Sequence, residues 1–261
     1  DVLPPDVNES EGGFSIIKDK NNKEQIRFGL YTVKNLGVDI SDAIIQERTH
    51  GGHFVSLENF IRRIHHKNLN KKSLEALTMC GALDAFAERN ELLHNTDSIL
   101  DFHKDVVKTN ANQDSLFAID SFSSFVMKKT NPADQKTKLT WEKELLGLFV
   151  SGFPLDPWKE KINARGITVD KIHSEYKDGK EISLAVIIEN IKVTVTKKGD
   201  KMGLLRLRDY TGTIEVAVFP EAYKRFKSNI LNDVPLLVKG KVSTRNNDKT
   251  MILDEIKILD Q

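Results

Sequence analysis

Leu204-Leu-Arg-Leu-Arg-Asp-Tyr-Thr-Gly-Thr-Ile-Glu-Val-Ala-Val-Phe219 is the stretch that decides the fold of the second half of this chain. Leu204–Asp209 and Thr213–Phe219 read as two strands, with Thr211-Gly212 as a tight hairpin turn between them. Arg206 and Arg208 alternate along the first strand, so they share one face. Upstream, Ser183–Val195 is a third strand, joined through a turn at Lys197–Asp200. Downstream, Glu221–Leu231 reads as a helix, and Leu236–Val242 and Thr250–Ile258 as two more strands connected through Arg245–Asp248.

Five strands with a helix between the third and fourth is the layout of an OB-fold, a small barrel. Its second and third strands, with the first and last turns, form an oligonucleotide surface. On that surface the candidates for single-stranded DNA are Lys197, Lys198, Arg206, Arg208, Tyr210, Lys239, Lys241 and Arg245. Basic side chains there would follow a phosphate backbone, and rings would stack on bases. Tyr210 and Phe219 are the rings at hand, a thin supply. The competing explanation is the solvated face of a protein-binding barrel.

The first part of the chain is of another kind. Phe14–Lys18 and Gln25–Gly29 flank a polar turn and read as a hairpin. From Leu30 to about His103 the pattern is helical, with Leu30, Val33 and Leu36 on one face, a break at Asn35-Leu36-Gly37 and a second helix from an N-cap at Ser41. This is the pattern of a helix-hairpin-helix motif, whose hairpin offers backbone N–H groups to a phosphate. The usual hairpin has two glycines; here Asn35 takes the first place, and Asn tolerates the left-handed conformation. Ser56 caps one further helix, and Asn70 or Ser73 another; Glu88–Lys108 is helical again. Leu74–Phe86 followed by Arg89 forms a second helix–turn–helix around Gly81, with Lys67, Lys71 and Lys72 at the helix start. The duplex-DNA candidates are therefore Lys34, Asn35, Gly37, Lys67, Lys71, Lys72, Gly81 and Arg89, against the alternatives of an ordinary helical corner and a solvated basic face.

Thr109–Thr140 is rich in Asn, Ser, Asp, Thr and Lys and reads as a flexible linker. It holds Gln113-Asp-Ser-Leu-Phe117, in which an amide and two apolar anchors, Leu116 and Phe117, stand in polar surroundings. That arrangement is similar to the short peptides that dock into bacterial sliding clamps; the alternative is a local contact tacking the linker to a domain. A helix follows over Trp141–Ser151, ended by Pro154 and Pro157. The expected division is 1–108 helical, 109–140 linker, 141–180 connecting segment and 181–261 barrel, an α+β multidomain chain.

The 261 residues suffice for two modest domains, and 39 basic against 38 acidic residues leave a net charge of +1. That balance neither demands nor excludes a polyanion. The lone Cys80 points to a reducing compartment. No apolar run is long enough to span a bilayer, so no membrane partner is expected. The chain opens on Asp1 rather than Met, as an excised or processed piece would. His65-His66 has no ligand partner at metal spacing, and no phosphate loop, nucleophile pattern or paired aspartate set stands out.

In order, these pieces resemble the C-terminal part of bacterial DNA polymerase III alpha subunits. Pro4-Pro-Asp-Val-Asn8 and Ile26-Arg-Phe-Gly-Leu30 are similar to that family's run into its helix-hairpin-helix region. Gly81-Ala82, Asp84 and Arg89 match its later helical segment, and Gln113–Phe117 its clamp peptide. Glu144-Leu-Leu-Gly147, Ser151-Gly152 and Pro154-Leu155 lead into its OB domain, to which Thr196-Lys-Lys-Gly-Asp200, Asp209, Thr211-Gly212, Glu215 and Val218-Phe219-Pro220 correspond. Asn35 stands where the family has Gly, and Phe153 where it usually has His. The resemblance implies a piece that grips duplex and single-stranded template and tethers to the sliding clamp, supporting processive synthesis in the bacterial cytoplasm beside other replisome subunits. It places the family's catalytic aspartates, and the magnesium they use, ahead of Asp1, so this chain is expected to carry neither catalysis nor a cofactor. A non-enzymatic scaffold that binds other replication proteins is the alternative.

Overall fold

A computed structural model of the chain describes residues 2–111, 126–245 and 248–259. It divides into two units, Asp1–Gly152 and Phe153–Gln261. The first opens on three short strands, β1 (Val2–Leu3), β2 (Ser15–Lys18) and β3 (Glu24–Arg27), in the order β1-β3-β2. β2 and β3 form the expected antiparallel hairpin. The Asp19 carboxylate ties its turn by accepting the N–H groups of Asn21 and Lys23.

The helix expected from Leu30 does not form beyond a 3-10 turn over Leu30–Thr32. The N–H that would close its first α-helical turn is taken elsewhere, Lys34 donating to Leu145 O, while Leu30 and Tyr31 donate to Glu11 O and Gly12 O. Leu30, Val33 and Leu36 are buried all the same. α1 runs over Val38–Gly51 and starts ahead of Ser41, which lies buried in its first turn with its hydroxyl donating to Gly37 O. α2 (Leu57–Arg63) is capped by Ser56 and α3 (Lys71–Met79) by Asn70, whose side chain exchanges hydrogen bonds with Ser73 as a capping box. The helical stretch after Glu88 is two helices, α4 (Arg89–His94) and α5 (Thr96–Ala111).

Asn95, at that break, explains why part of the expected linker is not one. Its amide accepts from Lys128 N and donates to Lys128 O. Nearby, Lys129 pairs with Glu91 at 2.9 Å and Ala133 N donates to Glu88 at 3.1 Å. Residues 126–134 are thus strapped onto α4 and α5. α6 (Gln135–Leu146) then begins earlier than the expected Trp141, because Asp134 caps it by accepting from Thr137 N. Leu139, Glu142 and Leu145 are its buried face. The core of this unit gathers Ile44, Phe54, Phe60, Leu74, Leu77, Leu83 and Leu92. Cys80 lies inside it, and burial pushes its thiol up to about 12.

The second unit begins with a 3-10 turn, Asp156–Trp158, and two short helices, α7 (Lys159–Arg165) and α8 (Val169–Ser174). Five strands follow: β4 (Glu181–Val195), β5 (Lys201–Arg208), β6 (Thr213–Val218), β7 (Leu236–Arg245) and β8 (Asp248–Ile258). They close into a barrel in the order β4-β5-β6-β8-β7, antiparallel throughout except for the parallel pair β6–β8. α9 (Pro220–Phe226) stands between β6 and β7, shorter than expected, and buries Tyr223 in the barrel core. This is the five-stranded OB layout read from the sequence. Inward positions are apolar, with Leu205, Leu207, Ile214, Val216, Val218, Val238 and Leu253 all buried. β8 bulges at Asp254, opposite the Lys239–Gly240 step of β7, and a Cβ on Gly240 would lie 2.1 Å from Ile252 O, so only glycine fits the crossing.

Candidate nucleic-acid interfaces

In the first unit the hairpin takes its shape from Asn35, whose φ of 70° is left-handed, whereas Gly37 is extended at φ −74°. The asparagine therefore supplies the turn that a glycine would otherwise make. Gly37 N-caps α1 with no side-chain hydrogen bond. The first N–H groups of the helix point out from exposed Gly37, Val38 and Asp39 with no cap over them. Lys34 is exposed beside them, and its backbone is fixed to the end of α6 through Leu145 O. An anion could settle there, with Asp39 in the first turn working against it.

The other duplex candidates divide. Lys67 and Lys72 are exposed; Lys71 is bound to Asp97 at 3.0 Å, and that contact raises its pKa. Arg89 and Gly81 require correction. Arg89 is 2% exposed and holds Asp84 at 2.8 Å, Glu142 at 2.9 Å and Met79 O at 3.1 Å. Burial opposes its charge, but Asp84 and Glu142 keep its pKa above the ordinary value. Gly81 is buried at φ 89°, and a Cβ there would lie 2.5 Å from the Arg89 guanidinium. Both residues serve the interior, and neither can meet a phosphate. Gln113, Leu116 and Phe117 lie outside the described residues.

On the barrel, Arg206 and Arg208 project from the outer face of β5 and share Glu189, at 3.8 and 2.7 Å. Two guanidinium groups on one carboxylate leave a net positive charge. Lys197 and Lys198 are exposed at the β4–β5 turn, made tight by Gly199 at φ 85°. Lys192, exposed opposite Leu204 on the same face, extends the row and escaped the sequence reading. Lys239 and Lys241 lie on β7, on the far side of β4 from β5, and are paired with Glu255 at 3.2 Å and Glu181 at 3.4 Å. Arg245 is exposed at the end of β7.

Tyr210 is not a free stacking platform. Its hydroxyl donates to Asp156 at 2.8 Å, its ring packs against Phe153 at 5.1 Å, and Lys159 Nζ stands 5.4 Å from the ring centroid. Burial and the Asp156 carboxylate raise its pKa. Phe153 thereby has a packing role in the second unit. Among the described residues no cluster of three or more His, Cys, Asp or Glu could hold a metal ion, and no helix is long and apolar enough to cross a membrane.

Residues 1–93 match a family model described as a helix-hairpin-helix motif, and residues 182–259 one described as an OB-fold nucleic acid binding domain. The alpha subunit of DNA polymerase III from Thermus aquaticus is 35% identical over 92% of this chain, and that from Deinococcus radiodurans 32% identical over all of it. The chain is homologous to a segment of DNA polymerase III subunit alpha. It spans about a fifth of the length of those relatives, 20% in each case. Among solved structures, a replication protein A heterotrimer bound to ssDNA is 20% identical over 33% of this chain and 62% of that one, with a TM-score of 0.26. At that score the likeness carries no argument.

Proposed function

We propose that this chain is a DNA-holding part of a replicative polymerase. The observation that carries the reading is the joint order of a helix-hairpin-helix unit and an OB barrel in a chain homologous, end to end, to polymerase III alpha subunits. The hairpin at Lys34, Asn35 and Gly37 takes duplex phosphate, with Lys67, Lys71 and Lys72 as further backbone contacts. The outer face of β4 and β5, through Lys192, Lys197, Lys198, Arg206 and Arg208, takes single-stranded template. Because rings are scarce there, binding rests on charge and is weak base by base. Nucleotidyl transfer, with magnesium, belongs to the remaining four-fifths of the polymerase.

Binding to a fluorescent primer–template with a single-stranded overhang, followed across a salt series, tests this. Affinity should fall steeply with salt, because each phosphate contact releases a counterion. Arg206→Glu with Arg208→Glu should weaken binding to the overhang, and Lys34→Glu binding to the duplex. Salt-insensitive binding, or none at low salt, would favour a scaffold that holds replication proteins through its barrel.

We also propose that Gln113, Leu116 and Phe117 form a sliding-clamp peptide, which would raise the local concentration of the chain at the primer end. Leu116→Ala with Phe117→Ala should abolish clamp binding measured by surface plasmon resonance. Unchanged affinity would sink that assignment.

A further inference from the structure

In the second unit, α7 lies over the outer face of β4 and β7 and leaves a cavity of about 340 Å³. Trp158, Ile162, Ile167, Ala185 and Leu237 make its walls apolar. Two cations of α7, Lys161 and Arg165, also line it; both are exposed, so their charges stand at the mouth. They are four residues apart on one helix, where like charges repel and destabilise the helix. No acidic side chain lines the cavity, and among the described residues neither cation has an ion-pair partner. Among the described residues the repulsion is uncompensated, and an anionic group at the mouth would relieve it.

We propose that this cavity is a docking site for an acidic peptide that inserts one large apolar side chain. Its volume sits at the small end of the ~300–1,000 Å³ range of ligand pockets, which suits a single anchor rather than a long groove-filling helix. The anchor replaces water against Trp158, Ile162 and Leu237, and flanking carboxylates meet Lys161 and Arg165. The walls disfavour a nucleobase. A base carries polar edges that need partners, and the one hydroxyl in the wall, Ser183 Oγ, is itself buried. The site lies at the Ser183–Ala185 end of β4 and on β7, apart from the cationic row of Lys192, Arg206 and Arg208, so it does not depend on the DNA-binding reading.

The test is fluorescence anisotropy of the whole chain with a fluorescein-labelled hexapeptide in which one phenylalanine is flanked by aspartates. Saturable binding is expected, with a shift in Trp158 emission read in a Trp141→Phe background. Lys161→Glu with Arg165→Glu should weaken it about tenfold. Ala185→Leu, which fills the cavity, should weaken it as well; a parallel circular-dichroism melt checks that the barrel stays folded. Equal affinity in the charge-reversed and wild-type chains would overturn the proposal. So would an absence of saturable binding, or displacement of the peptide by oligothymidylate that persists in an Arg206→Glu, Arg208→Glu chain, which would make the cavity a nucleic-acid site.

Discussion

Glu142→Ala should destabilise the first unit by about 3–5 kcal/mol, the cost of breaking a buried ion pair. Glu142 is fully buried and serves two ends of the fold at once. One carboxylate oxygen accepts from Arg89 at 2.9 Å, and the other accepts from the N–H groups of Val150 and Ser151, both at 2.9 Å. Its loss leaves the Arg89 guanidinium, which is nearly as buried, with Asp84 as its remaining carboxylate partner, and frees the segment after α6. Set against a total of about 5–15 kcal/mol for a typical domain, this is a large fraction. Urea denaturation followed through Trp141, on the same helix, measures it. The double substitution Arg89→Met, Glu142→Leu should recover the ion-pair share of the loss, since a buried pair replaced by apolar groups of similar size is often neutral, but not the share from the Val150 and Ser151 N–H groups. An unchanged midpoint in Glu142→Ala would mean that Arg89 is solvated, and would reopen its assignment to the DNA surface.

Arg89 also marks where sequence reading loses its grip. A cation a few residues after a glycine turn looks like a phosphate contact, and nothing local contradicts that. Its burial depends on Glu142, 53 positions later, and no periodicity reports a pairing across that distance. Tyr210 fails in the same way: it follows Arg208 on a promising face, but Asp156, 54 positions upstream, and Phe153 claim it. The barrel, by contrast, was legible because its strands are bounded by local signals, namely Thr211-Gly212, Lys197–Asp200 and Pro220. Lys192 was missed for a specific reason. Ile182, Leu184, Val186 and Ile188 are buried, so counting on by two puts residue 192 inside. The bulge between Ile188 and Asn190 shifts the register, and Lys192 emerges on the outer face opposite Leu204. A one-residue slip reverses which side chains face the core, and a bulge is not written in composition.

Asp209→Ala should destabilise the second unit by about 2–4 kcal/mol, because it orphans the buried Val169 N–H and releases three half-buried donors of the turn at once. Asp209 is 2% exposed. One carboxylate oxygen accepts from Val169 N at 2.8 Å, holding the start of α8 against the barrel. The other takes Thr211 N at 2.7 Å, the Thr211 hydroxyl at 2.8 Å and Gly212 N at 3.0 Å, and so ties the β5–β6 turn. The turn and the helix are thereby locked to one side chain, and Gly212 is packed close enough that its Cβ would meet Val169 at 3.4 Å. Asp209→Asn is the more informative variant. It can still accept from the turn, but it presents an N–H₂ group toward the Val169 N–H, so α8 should loosen while the turn survives. Amide hydrogen exchange separates the two. In Asp209→Asn, protection should fall at Val169 and in α8 but persist at Gly212; in Asp209→Ala it should fall at both. Equal protection in all three chains would show that α8 is held by Val169 and Ile172 packing alone, both of which are fully buried. Because Arg208 precedes Asp209 directly, a loosened turn should also blur the spacing of the arginine pair. The overhang arm of the DNA-binding experiment then becomes a second reading of the same contact.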